Sequence, residues 1–173
     1  MKFKIVVEDG KKEVFSRDLN FYELQEYASS LEDVQSNNDI FKILAKHPSQ
    51  DVRERIACKD NLNEEVCKII EAEKSVYVLR SFVRTDGCKK YATQKYLINW
   101  ISLDVEIAST IANYVENYEN FEIEDAVKIL MNHKDPAVLA ELASNSSLNK
   151  KYLKQLANNI DSRVSKNALY SLR

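Results

Sequence analysis

The sequence predicts an all-α chain: an α-solenoid of about five two-helix repeats behind a short N-terminal β-hairpin and helix. Three observations carry this reading. The 173 residues include only two Gly and two Pro, which leaves little material for tight turns, phosphate loops or dinucleotide-type loops. Apolar residues recur at i, i+4 and i+5, which lie on one side of a helix. Distant segments also repeat each other: KILAKHPSQDV (Lys42 to Val52) matches KILMNHKDPAV (Lys128 to Val138) at a shift of 86 residues.

The elements follow in order. Phe3, Ile5 and Val7 alternate with Lys4 and Val6, Asp9-Gly10 supplies a turn needing positive φ, and Val14-Phe15 begins a second run, so a hairpin is expected. Asn20 with Glu23 three residues on reads as a capping box for a helix from about Phe21 to Ser29, with Phe21, Leu24 and Ala28 turned inward. From residue 36 the repeats begin. Their first helices carry Ile40, Ile43, Leu44; Val66, Ile69, Ile70; and Ala126, Ile129, Leu130, while in the last copy the polar Gln155 stands between Tyr152 and Leu156. The second helices carry Val52, Ile56, Ala57; Val78, Phe82, Val83; Ile107, Ile111, Ala112; Val138, Leu142, Ala143; and Val164, Ala168, Leu169. No unit can bury its stripes alone, so stacking must complete the core.

The caps supply an independent check. Ser49, Ser75, Asp104, Asp135 and Asp161 each stand three residues before a second-helix stripe, and all are preferred N-cap types. Asn37, Asn63 and Asn149 stand before first helices, and Pro136 falls at a first helical position. Successive second-helix stripes are spaced 26, 29, 31 and 26 residues apart, which puts insertions on either side of the middle unit. The domain expectation is one compact unit in which residues 1–35 pack on or cap the repeats of 36–173.

A composition of 45% hydrophobic residues suffices for a continuous core. No window reaches the apolar length of a membrane span and Met1 to Gly10 lacks a signal-peptide pattern, so a soluble cytoplasmic protein with no membrane partner is expected. Cys58, Cys67 and Cys88 are odd in number and form no CxxC pair, which predicts reduced, mostly packed thiols with neither a disulfide framework nor a zinc cage. The net charge of −2 hides blocks of −3 (1–52), +3 (53–95), −7 (96–127) and +5 (128–173).

Two short helices every 26 to 31 residues resemble HEAT-like repeats, and LAKHPSQDVRERIACKDNLNEEV is similar to the bacterial leucine-rich-repeat variant, in which Pro, an acidic cap, Val-Arg and Asn-Leu recur in this order. The resemblance covers residues 36–173 and implies a right-handed α-solenoid, while saying little about activity. Trp100 and Asp104 resemble the aromatic and acidic pair of HEAT-like alkylpurine DNA glycosylases. The N-cap column already accounts for Asp104, and a segment charged −7 repels DNA.

One lysine per unit, Lys42, Lys68, Lys95, Lys128 and Lys154, aligns in one first-helix column, with Lys95 resting on Leu97 as that unit's anchor. Such a row fits a phosphate backbone or an acidic protein surface, and equally the copying of one solvent-facing residue. Arg80, Arg84, Lys89 and Lys90 form a local basic patch beside it. Tyr114, Tyr118 and Phe121, interleaved with Glu116, Glu119 and Glu122, mark the second insertion as an acidic-aromatic docking element or as an extension of the apolar stripe. His47 and His133 recur just past first-helix leucines, where a cation complements the helix dipole. No nucleophile, paired-carboxylate, metal or cofactor motif is present. The expected function is a non-enzymatic scaffold that binds another protein, with nucleic acid as the alternative partner and homodimerisation through the hairpin as a further option.

Overall fold

A computed structural model describes residues 3–173; Met1 and Lys2, the first residues of the expected N-terminal unit, lie outside it. Among the described residues, strands β1 (Lys4–Asp9) and β2 (Lys12–Asp18) form one two-stranded antiparallel sheet. Twelve helices follow, and helix accounts for 62% of the chain. They are α1 (Phe21–Ser30), α2 (Asn38–Leu44), α3 (Gln50–Ala57), α4 (Glu64–Glu71), α5 (Val76–Phe82) and α6 (Asp86–Tyr91). After these come α7 (Gln94–Leu103), α8 (Val105–Asn113), α9 (Ile123–Met131), α10 (Pro136–Ser144), α11 (Lys150–Leu156) and α12 (Ser162–Ser171).

The helices pack in two rows. Helices α1, α3, α5, α8, α10 and α12 each touch the next in that order. On the other side α2 packs on α4, α4 on α6, and α7 on α9, while α2–α3, α4–α5, α7–α8, α9–α10 and α11–α12 make pairs between the rows. A single apolar cluster runs between them from Leu24 to Ala168. Four of the five second-helix stripes are wholly buried, as their spacing predicts. In the fifth, Val164 and Ala168 are buried by the packing of α12 on α10 and α11, but Leu169 is exposed.

The first-helix stripe is met in part: Leu44, Val66, Ile70, Ala126 and Leu130 are buried as predicted, and Ile40 is half-buried. The fully buried column is Phe41, Cys67, Val127 and Leu153, paired with Leu44, Ile70, Leu130 and Leu156 three residues later. Ile43 is exposed, Ile69 and Ile129 are half-buried, and Gln155 stands exposed in that same column. A seven-residue helix with apolar residues on two adjacent faces satisfies either assignment, and only the packing partner decides between them. Phe21 is likewise exposed, leaving Leu24 and Ala28 as the buried residues of α1.

All five second-helix caps fall where predicted. Asp104, Asp135 and Asp161 accept backbone N–H bonds from their first turns, whereas the Ser49 and Ser75 hydroxyls do not. In those two units the turn is held from the other side. His47 Nδ1 accepts from the Ser49 N–H at 3.1 Å and Glu73 Oε1 from the Ser75 N–H at 3.0 Å. The same bond recurs from the Asp135 N–H to His133 Nδ1 at 3.1 Å and from the Asp161 N–H to Asn159 Oδ1 at 2.9 Å. Residues 47, 73, 133 and 159 are therefore one column of side-chain acceptors. This corrects the dipole role predicted for the two histidines: a ring nitrogen that accepts carries no proton, and burial holds the His47 pKa below its ordinary value.

The centre departs from this pattern. Helix α6, capped by Thr85, is an extra element that lies on α4. Gly87 permits the approach, since a Cβ there would stand 3.1 Å from Cys67 Sγ and 3.3 Å from Leu62 Cβ. Helix α7 then passes into α8 at Asp104 alone, which serves both as C-cap of one and N-cap of the other.

Candidate functional site

Four of the five column lysines, Lys42, Lys68, Lys128 and Lys154, occupy the last turn of α2, α4, α9 and α11, where a cation complements the C-terminal carbonyls. Lys95 does not join them. It sits in the first turn of α7, at the opposite end of its helix, with its ammonium 6.0 Å from the Tyr96 ring centroid. Leu97, taken as that unit's anchor, lies in the first half of α7, which runs on to Leu103. Nor is the column a bare row of charge: Lys42 pairs with Glu65, Lys68 with Glu64, and Lys128 with Asp125 at 3.2 Å. Lys154 alone of the four has no carboxylate partner among the described residues.

The basic patch is also internally matched. Arg80 holds Asp104 through two hydrogen bonds of 3.0 and 2.6 Å and reaches Glu106 at 2.8 Å, and Arg84 meets Glu106 at 2.8 Å. These pairs join α5 to α8 across the row, and the Arg80 hydrogen bond holds the Asp104 carboxyl below its ordinary range. Lys89 bonds Asp86 and lies 5.0 Å from the Tyr114 ring centroid, while Lys90 lies 5.2 Å from that of Tyr91. The charge blocks of opposite sign thus meet in space, as +3 against −7 across α5 and α8, and Glu124 with Lys151 joins α9 to α11 at 3.0 Å.

The 114–122 insertion packs inward. Tyr118 and Phe121 are only 2% and 4% exposed, so the structure does not present them to a partner. The Tyr118 hydroxyl donates to the Val83 carbonyl at 2.7 Å, and burial pushes its pKa up. Glu119 N–H donates to the Lys89 carbonyl and Asn120 Nδ2 to the Lys90 carbonyl, so the segment closes over the C-terminal end of α6. Tyr114 remains partly exposed under Lys89. Trp100 is buried edge-on to Phe82 with centroids 6.1 Å apart, and Asp104 is engaged with Arg80 and two backbone amides, so neither faces an open site. Cys67 and Cys88 are buried as expected, with burial raising the Cys67 pKa to about 12, whereas Cys58 is exposed, its Sγ 3.2 Å from the Arg55 carbonyl. No cluster of three or more His, Cys, Asp or Glu side chains suited to a metal occurs among the described residues.

The feature that sequence reasoning missed is a groove of about 590 Å³ on the first-helix side. Ile98 and Ile101 of α7, Val105 at the start of α8 and Ile129 of α9 form its apolar lining, with Asn132, His133 and Lys134 at one end. Ile98 and Ile129 are half-buried and Val105 is 42% exposed. Its sequence signal was present: Ile98, Ile101 and Val105 add apolar residues to the most irregular unit beyond what one stripe needs. No family model, no curated protein and no solved structure matches the chain. Among the described residues no helix is long and apolar enough to cross a membrane.

Proposed function

We propose that the chain is a non-enzymatic, cytoplasmic α-solenoid of the HEAT-like or leucine-rich-repeat-variant kind that binds another protein through the groove between α7 and α9. The observation that carries the proposal is the groove's apolar lining. Branched residues left half-open in a cleft, rimmed by polar groups, are the arrangement that buries an apolar side chain or short helix of a partner. The two-row packing and the repeated turn chemistry support the solenoid reading. The nucleic-acid alternative is the weaker one, because a phosphate approaching Lys42, Lys68 or Lys128 has to displace a carboxylate already paired there.

Two variants test this against the alternative. Ile98→Glu with Ile129→Glu is expected to lose a protein captured by the wild-type chain, and Lys42→Glu with Lys68→Glu and Lys128→Glu to retain it. Salt-sensitive binding of labelled single- or double-stranded nucleic acid that the lysine variant abolishes, together with no protein lost by the groove variant, overturns the proposal.

A further inference from the structure

The hairpin is the least covered part of the molecule. Ile5, Val6, Val7, Val14 and Phe15 are all exposed, at 39% to 55%, on both faces of the sheet. Only its root is anchored: Phe3 and Leu19 pack against the apolar cluster, and Arg17 is held by Glu23 of α1. A lone two-stranded sheet is marginal in water, and sheets with a solvated edge normally protect it with a bulge, a proline or an inward charge. Strand β2 is protected. The register shifts after the Val7–Phe15 pair, so that Glu8 faces Glu13 and Val14 is the extra bulged residue. Strand β1 has six regular residues, no proline and no residue inserted into it.

The free edge of β1 can be read residue by residue. Leu19 N–H donates to the Phe3 carbonyl at 2.8 Å, which makes Phe3 and Leu19 a hydrogen-bonded pair. Antiparallel pairs alternate, so Ile5 and Val7 also direct their N–H and C=O groups to β2, and Lys4, Val6 and Glu8 direct theirs outward. A second β1 placed antiparallel along this edge, with the two-fold axis at Val6, pairs Val6 with Val6, Lys4 with Glu8, and Glu8 with Lys4. Every outward amide then finds a partner and both charge pairs are of opposite sign. Ile5 falls opposite Val7 on the other face. An axis at Lys4 or Glu8 sets like charges against each other, and one at Ile5 or Val7 sets the apolar Val6 opposite a charged residue, Lys4 or Glu8. One register is therefore selected by the six residues themselves.

We infer that β1 is a dimerisation edge on which a second copy of this chain docks, giving a four-stranded antiparallel sheet centred on Val6. The order β2-β1-β1-β2 buries the open edge of each copy and makes an isologous contact. Light scattering and sedimentation of the full chain across a concentration series are expected to show a monomer–dimer equilibrium. Val6→Pro removes the outward N–H without touching the pairing to β2, and is expected to leave a monomer with unchanged circular dichroism and the melting temperature of the dilute, monomeric wild-type chain. Lys4→Glu and Glu8→Lys each place like charges opposite one another and are expected to weaken the dimer by about tenfold or more. Mixing the two single variants restores it, because the two carboxylates on the edge of one copy then face the two ammonium groups on the edge of the other. A wild-type chain that stays monomeric at its solubility limit overturns the inference, as does a dimer indifferent to Val6→Pro or a mixture no tighter than its components.

Discussion

The regular units at either end of the repeats and the aberrant centre reach stability by different routes. In the regular units one kit of local devices recurs: an apolar stripe, an N-cap and a side-chain acceptor two residues before the cap. The centre keeps the stripe of Ile107, Ile111 and Ala112 and the Asp104 cap but lacks the side-chain acceptor two residues before it. It is held by single long-range contacts, namely Trp100 on Phe82, Tyr118 on the Val83 carbonyl, Arg80 on Asp104 and Gly87 against Cys67. Copying a unit therefore supplies a scaffold, and departing from the copy requires contacts that no neighbouring unit can replace.

The largest break in that comparison is expected from Trp100→Ala, which empties the buried site beside Phe82 and costs about 3–5 kcal/mol. Chemical denaturation measures it, and a cost no greater than that of Val164→Ala in the last unit removes the distinction between centre and ends. Next comes Tyr118→Phe. It leaves the Val83 carbonyl buried without its hydroxyl donor and is expected to cost about 1–3 kcal/mol, with hydrogen exchange accelerating first in α6 and the 114–122 segment.

These two residues also show where legibility stopped. The second-helix stripes and caps were readable because each is a local signal repeated five times, so an error in one copy is corrected by the others. Tyr118 and Phe121 could be read either as interface or as core, because their burial depends on α6, a helix whose six residues carry no periodic pattern of their own. Lys95 fell outside the lysine column because α7 runs on past its presumed anchor Leu97 to Leu103. The groove escaped notice because the surplus apolar residues Ile98, Ile101 and Val105 lie in the most irregular unit, and only the spacing of α7 and α9 shows that they line a cleft.

A smaller effect separates equivalent caps. Asp135→Ala removes one N-cap bond and is expected to cost about 1 kcal/mol, whereas Asp104→Ala removes the cap and also strips Arg80 of its bidentate partner, so its cost is larger. Equal melting temperatures for the two variants count against a special role for the centre. Acid titration gives the gentlest test. Asp104, Glu73 and Asp161 have depressed pKa values through their basic and backbone partners despite some desolvation, and the Glu23 pKa lies at about 2 beside Arg17. A depressed carboxylate contributes stability above its unfolded value that is lost as pH falls through the folded one, so the melting temperature is expected to decline from about pH 4.5 toward about 2. Arg17→Ala reduces the Glu23 share of that slope and leaves the part that comes from the Asn20 N–H.

The acceptor column has a further consequence. Two units close their turn with an imidazole, one with a carboxylate and one with an amide, so a common geometry is maintained by groups of unlike proton affinity. The His47 imidazole, on gaining a proton at Nδ1, turns from acceptor to donor and releases the Ser49 amide, while the Asn159 side-chain amide has no such proton to gain and keeps hold of Asp161. Acid thus addresses the turns of an otherwise repetitive chain unequally, loosening the Ser49 turn at His47 and sparing that of Asp161, and the amide resonances of Ser49 and Asp161 report the two separately.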